Sequence, residues 1–368
     1  MEGAHFNLSM IKHQFYKWVL LYWMPYDNNL WPFGSFIIQM LTSGAQSEKI
    51  LVVVESDLRG AEQLSRRVIT KGQVVELQQL DTANSGSEDV FAEYLSWAQS
   101  QFSAEKWAIV FLGHGGRLDE ISPDEHSGSD SGQRIQWMNI EKVANIIVDF
   151  NRKINDRMEL VFLQNCCKGT IETHYTFRDA AKYTLSSQTV LGAPNYYYEP
   201  LLQFLGGQPE INGGELAEKI MEFERSDMFN GYTVTNNMAV RNLPSRINPL
   251  IDSILSSNIK AIRTNELQTY YYAGDRLIDV VHFFGTIVNQ SGADQQKYGT
   301  FIEFFMNSMI YRFQQSPKTI DSNLSGLSLF FPSRKEQLDE YCYLQVFSDL
   351  KYVKLLNAIL FDKSFLLE

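Results

Sequence analysis

Short, nearly unbroken apolar runs alternate with amphipathic stretches through the first half of the chain. WVLLYWM (18–24) is followed by a polar turn and the apolar segment 36–41. KILVVVESD (49–57) and VVELQQL (74–80) each precede a helical pattern, the second marked by Val90, Tyr94, Leu95 and Trp97; WAIVFLGHGG (107–116) follows. A helix expected over 139–153 leads into MELVFLQN (158–165), then a helix over 170–183, a short apolar run at 189–192 and the aromatic loop APNYYYEP (193–200). Continuous β-branched and aromatic runs of strand length, bounded by turn residues and separated by helices, describe a sheet buried on both faces. The architecture expected is an α/β sandwich with a mostly parallel central sheet.

Residues 117–134 (RLDEISPDEHSGSDSGQR) have no apolar period, several acids and a Ser/Gly cluster, so they predict a mobile surface loop and a natural place for a nick. The breaker-rich LGGQPEINGG (205–214) sets the expected boundary between a first unit, 15–210, and a mainly helical second one, 211–368. In the latter, helices are expected over 215–224, 248–256, 266–288 and 300–313. Strand character returns at 232–240 and 325–331, the last stopped by Pro332.

The chain has 368 residues, 44% of them apolar and 20% charged, which is ample for a core without staples. Its 32 Lys and Arg stand against 43 Asp and Glu, a net charge of −11, and no stretch concentrates the cations. That balance argues against nucleic acid or an anionic membrane as partner. Three cysteines, two of them adjacent, make neither a disulfide framework nor a thiolate metal cage and suit a reducing compartment. With no secretory pattern at its start and no apolar run near the ~20 residues that span a bilayer, the chain reads as cytoplasmic.

Two strand ends carry candidate chemistry. One run finishes in Gly113-His114-Gly115-Gly116, the other in Gln164-Asn165-Cys166-Cys167-Lys168-Gly169. Ligands of parallel α/β sheets sit at the carboxyl ends of the strands, so His114 and Cys166 would face one crevice although 52 positions apart. An imidazole beside a thiol favours the thiolate and later protonates a leaving amine. Glycine after the histidine lets a backbone N–H approach a scissile carbonyl, so the N–H groups of Gly115 and Cys166 are the candidate oxyanion hole. A helix starting just after Cys166 would add its dipole. Taken singly, a buried cysteine is ordinarily apolar filler and a His-Gly pair a turn. Cys167 reads as packed away from its neighbour, since successive residues leaving a strand point oppositely.

At these residues the chain resembles the clostripain family of cysteine peptidases, which has the caspase and gingipain type of fold. FLGHGG is similar to that family's catalytic-histidine strand and QNCCKGTIET to its catalytic-cysteine segment. WVLLYWMPYDNNL resembles its first strand and Asp-Asn-Asn-Leu turn (27–30), and SGLSLFFP a late strand. The resemblance implies a caspase-like α/β/α sandwich with a helical C-terminal region, and a cysteine endopeptidase acting through Cys166 and His114 on a protein or peptide. It also implies a rim role for Asp27. The family's aspartate two positions before the nucleophile, which binds Arg or Lys at P1, is replaced by Gln164, so a neutral or apolar P1 is expected. Asn165, Tyr196, Tyr197 and the acidic Glu199 are the further substrate-binding candidates. No cofactor is expected; calcium, used by some relatives, would call on acids such as Asp119 and Asp130, where no EF-hand spacing occurs. An activating or inhibitory protein partner, occlusion by 117–134 or self-cleavage would restrain such an enzyme, and a bacterial regulatory or antiviral defence role is one setting. Two readings remain beside it: a non-catalytic scaffold of the same fold, and a thiol-dependent amidase on a small molecule.

Overall fold

The computed structural model describes residues 11–80, 84–125, 135–321 and 323–362. Fourteen strands occur among them, in chain order β1 (Phe15–Tyr26), β2 (Ile50–Leu58), β3 (Ser65–Thr70), β4 (Gln73–Gln79), β5 (Ser103–Phe111), β6 (Glu120–Asp124), β7 (Gln136–Asn139), β8 (Met158–Leu163), β9 (Ala181–Ser187), β10 (Gly231–Asn236), β11 (Thr269–Tyr272), β12 (Asp275–Asp279), β13 (Ile310–Gln315) and β14 (Ser328–Phe330). Nine of them form one sheet in the order β13-β10-β9-β8-β5-β1-β2-β3-β4. Its centre, β9-β8-β5-β1-β2, is parallel, and antiparallel strands finish both edges. Residues beyond 210 supply two of its strands, β10 and β13.

The central strands are apolar without interruption because they feed two cores. Along β1, Val19, Leu21 and Trp23 enter one hydrophobic layer, while Trp18, Leu20, Tyr22 and Met24 enter the other. The second layer is closed by α1 (Trp31–Gly44), α5 (Tyr198–Gly207) and α6 (Gly213–Phe223). The first is closed by α2 (Glu88–Gln101), α3 (Ile140–Ile154), α4 (Ile171–Thr176), α7 (Leu243–Leu255), α8 (Val280–Ser291) and α9 (Gln295–Phe304). The result is the expected α/β/α sandwich. No helix among the described residues is long and apolar enough to cross a membrane.

Several local expectations are corrected. The short apolar run at 189–192 follows a strand, β9, which takes the last residues of the helix expected over 170–183; α4 stops at Thr176. The long helix over 266–288 divides into the β11–β12 hairpin, turned through Ala273 and Gly274 at positive φ, and α8. The helix over 300–313 starts earlier and ends in β13, and 232–240 is strand only to Asn236. The predicted loop 117–134 is ordered at its start, where β6 pairs with β7. Its remainder, with His126, Asp130 and Arg134, lies outside the described residues.

Candidate active site

Parallel pairing sets Phe111 of β5 beside Leu163 of β8. Carrying that register three residues past each strand brings His114 level with Cys166. The two ends are tied directly. Asn165 donates its side-chain amide to the carbonyls of Gly113 (3.0 Å) and His114 (3.1 Å), with Leu112 at 3.4 Å. Gly113 turns the chain at a φ of +102°, and Gly115 packs so tightly that an added Cβ would lie 2.3 Å from the Cys166 carbonyl oxygen. Lys168, buried, donates from Nζ to the carbonyls of Gly116 (3.3 Å), Arg117 and Leu118 (3.4 Å), clamping the segment after His114 to the segment after Cys166. Burial lowers this ammonium to about 8.

The His114 imidazole is half-buried and its Nε2 lies 2.7 Å from Asn29 Oδ1. An amide oxygen only accepts, so Nε2 carries the proton and Nδ1 keeps the free lone pair. Burial lowers the ring's basicity, with Glu125 pulling the other way. The Cys166 sulfur is also half-buried; it accepts the Leu191 N–H at 3.2 Å and lies 3.7 Å from the Leu191 carbonyl. Cys167 is buried at a φ of +56°, and burial, then Cys166, pushes its thiol up to about 12. It is an inert packing residue. The helix expected to poise the thiol begins only at Ile171, is six residues long and has Thr170 capping its amide, so its dipole contributes little.

The peptide between His114 and Gly115 has a fixed orientation. Its carbonyl is held by Asn165 and by the Ser122 N–H at 3.1 Å, and a planar trans peptide then points the Gly115 N–H the opposite way. The bridge between Gly115 and Ile121 uses the Gly116 and Ser122 amides and leaves that of Gly115 out. Tyr272, at the tip of the β11–β12 hairpin, donates to the Gly115 carbonyl at 2.8 Å and lies against Cys166, whose charge and hydrogen bonding raise its phenol beyond what burial does.

The other candidates are distributed differently. Gln164 is buried with every polar atom used: Nε2 donates to Asn195 and, at 2.8 Å, to Tyr198, and Oε1 accepts from Tyr197 at 2.8 Å. Tyr197 is fully buried beneath this cluster, so it lines no open subsite. Tyr196 is half-exposed and stacks under Arg225, 4.1 Å from its ring centre. Glu199 sits on α5 and accepts from Gln203, sharing an outer groove with Phe36 and Met40 of α1; it is not brought to Gln164 or Cys166. The acid near Gln164 is Glu224, which accepts the Tyr196 (3.0 Å) and Arg225 (2.8 Å) amides and is lifted by burial to about 7. Asp27 is buried, with a carboxylate oxygen within 4.8 Å of those of Asp57 and Asp124. Asn29, Lys168, Tyr272 and Glu224 were missed by sequence reasoning; only Asn29, in its DNNL turn, carried a local signal.

A histidine and a cysteine ending adjacent parallel strands, in a three-layered α/β/α sandwich, define a caspase-like fold of the cysteine-peptidase type. Residues 22–361 match the model of the clostripain family, and the chain belongs to that family of cysteine peptidases. Among solved structures it is similar to an inactive zymogen C11 protease from Parabacteroides distasonis, with 18% identity and a TM-score of 0.71 over 91% of this chain and 98% of that one. It is also similar to a secreted C11 cysteine protease from Bacteroides thetaiotaomicron in complex with an irreversible peptide inhibitor, with 17% identity and a TM-score of 0.70 over 92% and 99%. No curated protein matches.

Proposed function

We propose that the chain is an endopeptidase working through a Cys166–His114 dyad with a neutral residue preferred at P1. The carrying observation is the hydrogen-bonded junction of the two strand ends, in which Asn165, next to the cysteine, holds the carbonyl of His114. His114 Nδ1 takes the thiol proton and the sulfur attacks the scissile carbonyl carbon. The oxyanion forms where the Gly115 and Cys166 N–H groups donate. Collapse breaks the C–N bond, and the amine leaves with the proton from His114. Water, deprotonated by the same nitrogen, then adds to the thioester and regenerates the thiol as the acid departs.

The P1 reading rests on Gln164, whose amide is committed to Asn195, Tyr197 and Tyr198 and offers no charge to a desolvated guanidinium. An electrophilic peptide ketone should label wild type and Cys167→Ala but not Cys166→Ala. Labelling that survives Cys166→Ala refutes the assignment, and turnover of small amides with no peptide cleavage favours an amidase.

A further inference from the structure

The Cys166 sulfur lacks the charge support expected from a helix, since α4 begins only at Ile171 with Thr170 capping its amide. Burial also weakens His114 as a base. A half-buried sulfur that must carry negative charge needs donors aimed at it. The main chain supplies one, the Leu191 N–H at 3.2 Å. The phenol of Tyr272 is the other group at hand: it lies against Cys166 while its hydroxyl donates to the Gly115 carbonyl at 2.8 Å.

We propose that Tyr272 is a catalytic residue whose hydroxyl turns from the Gly115 carbonyl to the Cys166 sulfur when the thiol ionises, a role that rests on Cys166 being the nucleophile. A hydroxyl proton rotates about its C–O bond, so one oxygen serves either acceptor without moving the ring. The neutral thiol is a weak acceptor and leaves the hydroxyl to the carbonyl, whereas a thiolate accepts a charge-assisted bond that outcompetes it. His114 Nδ1 takes the thiol proton and Tyr272 keeps its own. In the thioester the sulfur is neutral again and the hydroxyl returns to Gly115; when water has added and the C–S bond breaks, it meets the departing thiolate a second time.

Both strands of the hairpin hold Tyr272 in place. Tyr270, two residues earlier on β11, donates to the Gln188 carbonyl at 2.8 Å, in the segment that leads to Leu191. Asp275, buried at the start of β12, accepts the Leu118 N–H at 2.7 Å, just beyond the His114 turn. The hairpin is thereby anchored to the segments after both strand ends, with the phenol between the anchors. Burial, then Cys166, raises this phenol above its ordinary value, so the hydroxyl has a proton to donate at neutral pH. The other titratable groups about the sulfur are His114, Cys167, Lys168 and Tyr232. Burial keeps the Cys167 thiol and the Tyr232 phenol protonated, and Lys168 is committed to carbonyls.

The test is the pH dependence of Cys166 alkylation by iodoacetamide, read by mass spectrometry in full-length wild type, Tyr272→Phe and Tyr270→Phe. Phenylalanine keeps the ring and removes only the donor. In Tyr272→Phe the alkylation midpoint should rise by about one pH unit, a roughly tenfold lower rate on the acid side, with the alkaline plateau within a few-fold of wild type. Peptide kcat should fall about tenfold with KM nearly unchanged. Tyr270→Phe loosens the same hairpin without removing the donor and should keep the wild-type midpoint. Should Tyr272→Phe fail to fold, a fluorotyrosine at position 272, being a more acidic donor, should instead lower the midpoint. An unchanged midpoint in the folded Tyr272 variant overturns the role, as does an equal rise in Tyr270→Phe, which would trace to a displaced hairpin. Failure of the dyad itself shows separately, as peptide cleavage that persists in Cys166→Ala.

Discussion

Replacing Gly115 by alanine tests the junction on which the chemistry depends. The new Cβ would lie 2.3 Å from the Cys166 carbonyl oxygen and 3.2 Å from its amide nitrogen. Both are backbone atoms, so no side chain can swing aside. Real Cβ contacts stop near 3.0 Å, so the two strand ends must part by roughly 0.7 Å. A displacement of that order at a reacting centre, together with a misaligned oxyanion donor, costs about 10²–10³-fold in kcat. Gly207→Ala, whose Cβ would meet nothing within 4 Å, serves as the control. With a fluorogenic peptide, Gly115→Ala should lose about two orders of magnitude in kcat while circular dichroism stays native and Gly207→Ala stays active. Alkylation of Cys166 by iodoacetamide needs no oxyanion hole, so its rate should remain within a few-fold of wild type. A folded Gly115→Ala enzyme with near-normal peptide turnover would refute the placement of the hole.

The remaining predictions concern protons, clamps and specificity. Burial lowers His114, so the ring stays a neutral base below the ordinary histidine value and the acid limb of kcat/KM should fall below pH 6.5; a limb above it contradicts the environment described. His174 is fully buried between Thr235 (2.7 Å) and Ser186 (2.6 Å), and burial takes it down to about 3. The unfolded state therefore gains a proton near pH 6.5 that the native state refuses, and stability falls as pH drops from there towards 3. By pH 4.5 that loss is on the order of 3 kcal/mol, and urea titrations at pH 7 and 4.5 should show it in wild type and not in His174→Gln. Lys168→Met strands three carbonyls after His114 and should lower the melting temperature by several degrees while reducing turnover; an unchanged kcat would separate that clamp from catalysis. A peptide library should place Leu, Met, Asn or Gln ahead of Arg at P1, and a strong preference for Arg would transfer the specificity role to Glu224. Self-cleavage after Arg117 should not occur, because its carbonyl is held by Lys168 and its guanidinium by Glu340; such a product in mass spectrometry would show that this segment opens.

The parts of the molecule legible in the sequence are those where a single segment carries the whole signal. A central strand such as β1 sends alternate residues into two cores and must be apolar at every position, which makes it visible without a partner. The strand β3, paired between β2 and the edge strand β4, hides because its polar residues are satisfied elsewhere: Arg66 is fully buried on Glu55 and Glu93 of other elements, so its apparent polarity conceals its burial. The β11–β12 hairpin hides for the opposite reason. Its run of tyrosines is only partly buried, and its apolar spacing continues into α8 closely enough to resemble one helix.

The same distinction separates candidate reactants from their supports. His114 and Cys166 must stand at the carboxyl ends of strands, and strand ends are readable. Lys168 and Tyr272 act only through partners far along the chain, and nothing beside them in sequence records the contact. Tyr272 shows the consequence most directly: its hydroxyl reaches the Gly115 carbonyl across 157 positions, so the proposed catalytic edge of the first half is completed by a hairpin of the second. A truncation after the apparent boundary near residue 210 would therefore remove a support of the proposed oxyanion hole as well as two strands of the sheet, and the isolated first unit should be inactive even if kept soluble.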